Sequence, residues 1–401
     1  MSYEKIFSKL PSGWEIGTLD QYAEVIDPHP SHRAPAEVLG GYPFLGIGDL
    51  DYFGNATFDA ARHVGLDIIE EHERNYLISE TSIGYAKMGN TIGKVVSFPN
   101  RKGKTRFAVS PALSIINPNE QIHPYYLRAV VESAAFWGQV NGKITGSTRP
   151  SIGIQQLRKI LIPIPPETEQ VRIGELWKVL YDKINVNNAI NDNLQQQAMA
   201  LYASMFLDNP ALETTAGTLK DIADITMGQS PSGSSYNENG NGEVFYQGRA
   251  EFGYRFPTRR LYTTEPKRMA EAGDVLLSVR APVGDLNVAY ERCCIGRGLG
   301  AIHGRNGYQS FVLYTMFALR PQLDVYNGEG TVFGSINRNA LNDMPIDIPS
   351  EDAIAAFEAV ARPMDDMIRS NYEENCRLQE LRDSLLPRLM SGEVDISSID
   401  I

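Results

Sequence analysis

The stretch ETEQVRIGELWKVLYDKINVNNAINDNLQQQAMALYASMFL, residues 167–207, indicates how the whole chain is organised. Its apolar residues recur at alternating steps of four and three, a 3.5-residue repeat that is typical of the core stripe of a coiled-coil helix. Two positions of the stripe are polar, Asn187 and Asn191. The apolar members are Ile173, Trp177, Leu180, Ile184, Leu194, Ala198, Leu201 and Met205. A stripe of this length predicts a long helix that needs a partner helix.

The second half of the chain contains such a partner. Adding 184 to each stripe position reproduces the pattern, with asparagine at the same two places and Arg382 as one further exception. The second stripe consists of Phe357, Ala361, Met364, Ile368, Asn371, Asn375, Leu378, Arg382, Leu385 and Leu389. The sequence therefore predicts two long helices that pair with each other.

The asparagines also predict an alignment, because a buried asparagine lowers stability but specifies register when it meets another. An antiparallel pair, midpoint on midpoint, places Asn187 opposite Asn375 and Asn191 opposite Asn371. A parallel pair would place Asn187 opposite Asn371. We favour the antiparallel pair, since a parallel pair would crowd the globular segments that border each helix. Pro363 predicts a kink or a fresh start in the second helix.

The segments outside the helices repeat as well. Short β-like runs between glycines and prolines indicate an α+β domain in each. Residues 17–19 return as 217–219, 82–96 as 277–288, 109–116 as 295–302, 146–147 as 334–335, and 157–165 as 341–349. The predicted fold is α+β, with two similar globular domains joined by two long helices that form an antiparallel coiled coil. The predicted boundaries are domain 1 at 1–165, helix 1 at 166–208, domain 2 at 209–350, helix 2 at 351–392 and a tail at 393–401.

Composition restricts the class of protein. The length of 401 residues allows two or three domains, and the net charge of −12 taken alone argues against nucleic acid. However, residues 167–207 carry −2 and residues 351–401 carry −7, which leaves −3 for the rest, and the local field decides whether a surface approaches phosphate. No apolar run reaches the roughly 20 residues of a membrane span, and no signal peptide is visible. Three cysteines form no disulfide framework, so a cytoplasmic protein is expected.

Known catalytic and metal-binding motifs are not matched. The run GRGLG at 296–300 has the wrong spacing for a dinucleotide site, and GNTIGK at 89–94 has one residue too few for a phosphate loop. His29 and His32 form a short histidine pair without a third ligand in view, so no metal site is predicted. There is also no nucleophile elbow. A duplicated module without a catalytic set favours a binding protein over an enzyme.

The positive signal is a set of basic clusters mixed with aromatic residues in both globular segments. Arginine bonds guanine, asparagine bonds adenine, and lysine suits phosphate. The predicted DNA-binding residues of the first segment are Lys87, Arg101, Lys102, Lys104, Arg106, Lys143 and Arg149. Those of the second are Arg249, Arg255, Arg259, Arg260, Arg280, Arg297, Asn337 and Arg338. For any one of them, a solvated loop charge is the competing interpretation.

The chain resembles the specificity (S) subunits of type I restriction-modification enzymes. The resemblance covers nearly the whole chain and depends on the order and duplication of its motifs. These are LPSGWE at 10–15, IPPETEQ at 164–170, LLPRLMSGEV at 385–394, and the loops GST at 146–148 and GSI at 334–336.

The resemblance implies a non-catalytic subunit. Each globule would be a target recognition domain that reads one half of a split double-stranded DNA site. The helices would pair antiparallel, space the domains and dock methyltransferase (M) subunits, with restriction (R) subunits joining through the complex. S-adenosylmethionine, ATP and Mg would belong to those partner subunits, and this chain would carry no cofactor of its own.

Two other classes remain open at this point. A protein-interaction scaffold built from duplicated modules would show no duplex affinity above background, and neutralising Arg101, Arg259 or Arg260 would then be silent. An enzyme that acts on carbohydrate or nucleotide is disfavoured by the missing catalytic set.

Overall fold

A computed structural model describes residues 10–29, 34–99, 105–146, 148–328 and 334–394. The chain divides into two compact units. The first unit comprises Met1–Asn187 and Glu374–Ile401, and the second unit comprises Asn188–Glu373. Each unit therefore combines globular sequence with part of both long helical segments, and residues 395–401 of the predicted tail lie outside the described residues.

The described part of the first unit contains a strand pair and two small sheets. The pair is β1 (Glu15–Thr18) with β9 (Leu161–Ile164), and one sheet has the antiparallel order β2 (Ala23–Ile26), β8 (Leu113–Pro118), β5 (Ile83–Ala86), β6 (Val95–Ser97). The other has the order β4 (Arg62–Val64), β3 (Tyr42–Leu45), β7 (Ala108–Val109), with β3 and β7 parallel. The helices are α1 (Leu19–Tyr22), α2 (Leu66–Asn75), α3 (Pro124–Glu132), α4 (Ala134–Asn141), α5 (Ile154–Arg158) and the long α6 (Glu167–Tyr202). All four residues of β5 are buried, which fits its place inside the four-stranded sheet.

The second unit repeats this plan. Strand β10 (Thr214–Thr218) pairs with β20 (Pro345–Pro349), and a four-stranded sheet has the order β11 (Ala223–Met227), β19 (Leu299–Gly304), β16 (Val275–Ser278), β17 (Leu286–Val288). A further sheet has the order β12 (Tyr236–Asn237), β14 (Leu261–Thr263), β13 (Glu243–Tyr246), β18 (Cys293–Ile295), β15 (Met269–Ala270). The helices are α7 (Leu219–Ile222), α8 (Gln309–Ala318), α9 (Arg320–Asp324), α10 (Arg338–Asn342) and the long α11 (Glu351–Met390). The shared plan shows that the sequence repeat is a structural repeat.

One predicted equivalence within the repeat is wrong. Residues 146–147 were expected to correspond to residues 334–335. The structure instead pairs Ser151 with Met88 and Ser335 with Arg280, at matching places after β5 and β16. Ser335 is therefore the counterpart of Ser151, at the same offset of 184 as the helices. Similar Gly-Ser dipeptides misled the sequence comparison because only the strand register reveals which backbone segments pair.

The antiparallel pairing of the long helices is confirmed within each unit. In the first unit, Ile173 and Trp177 near the start of α6 share a buried cluster with Leu389 near the end of α11. In the second unit, Ala198 near the end of α6 shares a cluster with Phe357 near the start of α11. These residues belong to the predicted apolar stripes, so the 3.5-residue repeat identified the buried side of both helices.

The stripe asparagines are bonded to each other. In the first unit, Asn187 Nδ2 donates to Asn375 Oδ1 at 2.9 Å and also to Glu374 Oε2 at 2.8 Å. In the second unit, Asn371 Nδ2 donates to Asn191 Oδ1 at 2.8 Å. Asn187 and Asn375 are buried, so each amide that leaves water finds a partner across the pair.

The arginine in the second stripe is also accommodated. Arg382 Nη1 donates to Tyr52 Oη at 3.3 Å, and its guanidinium lies 5.6 Å from the centre of the tyrosine ring. Tyr52 Oη donates in turn to Glu132 Oε2 at 2.7 Å, which also accepts from Trp177 Nε1 at 3.0 Å. The buried Arg128 side chain pairs with the same carboxylate. A polar network centred on Glu132 therefore accommodates the arginine beside the apolar packing at this end of the helix pair.

The sequence predicted that Pro363 kinks the second helix or starts it afresh, and the structure contradicts the fresh start. Helix α11 continues from Glu351 to Met390 across Pro363. A proline leaves the carbonyl four residues earlier, that of Ala359, without its helical donor. Both Pro363 and Ala359 are exposed, so water can reach that carbonyl and the helix can continue.

Candidate nucleic-acid interface

Two of the predicted DNA-binding residues lie in the interior. The ammonium nitrogen of Lys87 is 2.5 Å from Asp27 Oδ1, and burial lowers the pKa of Lys87 while the Asp27 carboxylate opposes that shift. Arg255 is buried in an ion pair with Asp365 and donates to Gln195 Oε1 at 3.0 Å. Both side chains are buried against elements of their own unit, so neither is placed to contact DNA.

Four other predicted arginines lie at the surface but have carboxylate partners. Arg106 holds Glu73 with two nitrogens, at 3.1 and 2.6 Å. The other three pairs are Arg249 with Asp285, Arg259 with Glu291, and Arg260 with Glu251. An exposed ion pair contributes little stability and can exchange partners, whereas Glu251, the partner of Arg260, is buried. As they stand, however, these four guanidinium groups are neutralised.

A groove of about 680 Å³ in the second unit collects four of the six remaining predicted residues that the structure describes. Arg280 follows β16, Arg297 lies in the turn between β18 and β19, and Asn337 with Arg338 opens α10. The full lining is Met227, Gly228, Val279, Arg280, Ala281, Arg297, Gly334, Ser335, Ile336, Asn337 and Arg338. Segments far apart in sequence thus place three arginines and an asparagine on one concave surface.

Backbone hydrogen bonds fix the segments that line this groove. Val279 N donates to Gly298 O at 2.9 Å, and Ala281 N donates to Gly334 O at 3.0 Å. Ile336 N donates back to Val279 O at 3.1 Å. The segment that carries Arg280 is therefore bonded both to the turn of Arg297 and to the segment before Arg338.

The charges in the groove are not neutralised by the part of the chain that the structure describes. Arg280, Arg297 and Arg338 are exposed, and no described carboxylate forms a salt bridge with any of them. The side-chain oxygen of Asn337 accepts from Ala340 N at 3.0 Å and so caps α10. Free guanidinium groups can bond phosphate oxygens or the acceptor edge of guanine.

The matching place in the first unit carries less charge. Met88 occupies the position of Arg280, and Gly89 N donates to Pro150 O at 2.8 Å as Ala281 does to Gly334. Arg149 is exposed and its Nη2 lies 3.6 Å from Met88 Sδ. Lys143 is exposed on the preceding turn.

Sequence reasoning missed Met88 as a candidate, because only the strand register shows that it is the counterpart of Arg280. Arg101, Lys102 and Lys104 lie outside the described residues.

Only one residue of the short histidine pair, His29, lies within the described residues. His32 lies outside the described residues, and His29 packs against Phe44 and His72, with ring centres 5.3 and 4.5 Å away. Burial lowers the pKa of His29 to about 4. Among the residues with described positions, no group of three or more His, Cys, Asp or Glu could hold a metal ion. Within the same residues, no helix has both the length and the apolar character that crossing a membrane requires.

Comparison with known proteins gives this architecture a family. The model of the type I restriction modification DNA specificity domain matches residues 11–196. This match and the relatives named as specificity subunits support membership of the specificity-subunit family of type I restriction-modification systems. Subunits of this family are non-catalytic, and the chain is therefore a non-catalytic, DNA-binding subunit.

Two relatives from Methanocaldococcus jannaschii match along nearly their whole length. A protein named as the MjaX type I restriction enzyme specificity subunit is 28% identical over 421 residues, which cover 97% of this chain and 96% of the relative. The MjaIX specificity subunit is 20% identical, over 99% of this chain and 97% of the relative. A crystal structure of the type I system S subunit from M. genitalium has a TM-score of 0.54 at 14% identity, covering 94% of this chain and 96% of that one. That likeness supports the fold.

Proposed function

We propose that each unit of this specificity subunit reads one half of an asymmetric, bipartite duplex site. The observation that carries the proposal is the repeated framework with different loop residues. The segment after β5 and the segment after β16 have the same backbone pairing, yet one carries Met88 and the other Arg280. Two similar readers with different side chains at the same place would recognise two different half-sites.

The proposed DNA surface consists of those predicted DNA-binding residues that are exposed and have no carboxylate partner in the described structure. In the second unit these are Arg280, Arg297 and Arg338, together with Asn337, and in the first unit they are Lys143 and Arg149. Arg106, Arg249, Arg259 and Arg260 would contact phosphates only by leaving their present partners. Arg101, Lys102 and Lys104 remain predicted contacts on the basis of sequence.

The long helices would serve as a spacer between the two reading domains and as a docking surface for other subunits. The two domains, the two helices and the tail predicted from the sequence would be the functional divisions of the chain. Residues 351–401 carry a formal charge of −7, which repels phosphate and favours contact with other proteins. We propose that methyltransferase subunits bind there and that restriction subunits join through the complex. S-adenosylmethionine, ATP and Mg would be bound by those partners, in the cytoplasm where the host DNA is accessible.

Methylation mapping tests this function. Host DNA with and without this gene would be sequenced for methylated bases, and the chain with its methyltransferase partner would be offered a randomised duplex library. We expect one split motif with an unread spacer that disappears with the gene, and binding that weakens as salt rises. A complex that binds duplex without sequence preference, or not at all, would favour the scaffold alternative and reject the proposal.

A further inference from the structure

The two units differ in charge at three structurally matched positions. Strand register defines the matches, because Ile83 pairs with Ile116 in the first unit as Val275 pairs with Ile302 in the second. Met88 lies five residues after Ile83, and Arg280 lies five residues after Val275. Met88 is therefore the counterpart of Arg280. The bridges of Met88 to Ser151 and of Arg280 to Ser335 support the same match.

The other two arginines of the groove are matched in the same way. Val109 pairs with Leu45 as Ile295 pairs with Tyr246, and two residues further on Pro111 corresponds to Arg297. Similarly, Ile152 N donates to Lys87 O as Ile336 N donates to Val279 O, so that Ile154 corresponds to Arg338. Three arginines in the second unit therefore stand where the first unit has methionine, proline and isoleucine.

The type of cation is informative. All three groove cations are arginines, whose planar fork matches the O6 and N7 acceptors of guanine, whereas a lysine is a point charge that suits phosphate. The backbone bonds described above hold the Arg280 segment between the other two, so its guanidinium projects from a fixed base. At the matched place in the first unit, Met88 offers an apolar surface of the kind that fits a thymine methyl group.

We propose that the half-site read by the second unit contains G·C base pairs recognised in the major groove by Arg280, Arg297 and Arg338. The first unit reads its half-site without arginine at those three positions. This inference rests on the proposed function and adds the base composition of one half-site to it. The two half-sites differ because the frameworks are alike and the side chains at matched positions are not.

Reciprocal substitutions test the inference. Arg280→Met gives the second unit the residue of the first, and Met88→Arg does the reverse. Each full-length chain is assembled with its methyltransferase partner, and methylated duplexes are selected from a randomised library and sequenced. Arg305→Met is the matched control, since Arg305 is an exposed arginine outside the groove that pairs with Asp224.

For Arg280→Met we expect discrimination at one guanine position of one half-site to fall by about 5- to 150-fold, with the other half-site unchanged. Met88→Arg should add a guanine preference to that other half-site. The control should leave both half-sites as in the wild type.

Several outcomes overturn the inference and leave the proposed function standing. One is a wild-type split motif with no G·C pair in the half-site that responds to Arg280→Met. If that variant fails to assemble, the corresponding outcome is a wild-type motif with no G·C pair in either half-site. Another is an Arg280→Met complex that is weaker on all sequences alike, which would identify a phosphate contact. A wild-type complex without any sequence preference would instead reject the proposed function itself.

Discussion

The paired asparagines in the helix stripe give a prediction that the structure allows us to work through. Asn187→Leu removes the donor to Asn375 Oδ1, which lies 2.9 Å away, while the Asn375 side chain stays buried. We expect a loss of stability in the first unit. Changing Asn375 to Leu at the same time should largely restore it, because both amides then leave the interior together.

The magnitude follows from the burial of the pair. Leaving a buried polar group without its partner costs about 1–3 kcal/mol, and burying a leucine returns about 1.5–3 kcal/mol when its site fits well. The site is shaped for an amide that also donates to Glu374, so the fit is incomplete. We therefore expect each single variant to lose about 1–2 kcal/mol and the double variant to lie within about 1 kcal/mol of the wild type.

Hydrogen exchange on the full chain is the suitable measurement, because a two-unit protein need not unfold in one step. Exchange of peptides from residues 167–187 and 374–390 gives the local opening free energy for wild type, both single variants and the double variant. Asn193→Leu is the control at an exposed position of α6 and should change little. If the effects of the two single variants add to within about 0.5 kcal/mol in the double variant, the asparagines are not coupled and the reasoning is refuted.

Two further predictions concern stability. The pKa of His29 is lowered to about 4 from 6.5, so the folded first unit binds fewer protons than the unfolded chain and loses stability as pH falls from 6.5 to 4. His29→Phe should reduce this loss of stability by about 1–2 kcal/mol, allowing for partial solvent screening. Thermal melts of wild type and variant at pH 7 and pH 4.5 measure the loss. If the variant has the same pH dependence as the wild type, His29 is not the group responsible. Pro363→Ala should restore a helical donor and stabilise the second unit by about 1–3 kcal/mol, as measured by exchange of peptides from residues 351–373. An unaltered or faster exchange there would mean that the proline causes no helix penalty.

The sequence did not show which basic residues are neutralised by carboxylates in the folded chain. Lys87 and Arg255 were predicted to contact DNA on the same grounds as Arg280, as basic residues of the globular segments. Asp27 lies 60 residues from Lys87 in the chain, and Asp365 lies 110 residues from Arg255, yet each forms an ion pair. A cation that is neutralised by a distant carboxylate cannot be recognised until the fold brings the two together.

The sequence by itself determined the helix pair and the duplication of the chain, and it favoured the antiparallel sense that the structure confirms. Helical periodicity is local, so the order of residues alone reveals two stripes with asparagine at the same two positions. Only the tertiary structure decided which arginines share a groove and which residues of the two units are counterparts. Those properties depend on strand register and on distances through space, which neighbours in sequence do not specify.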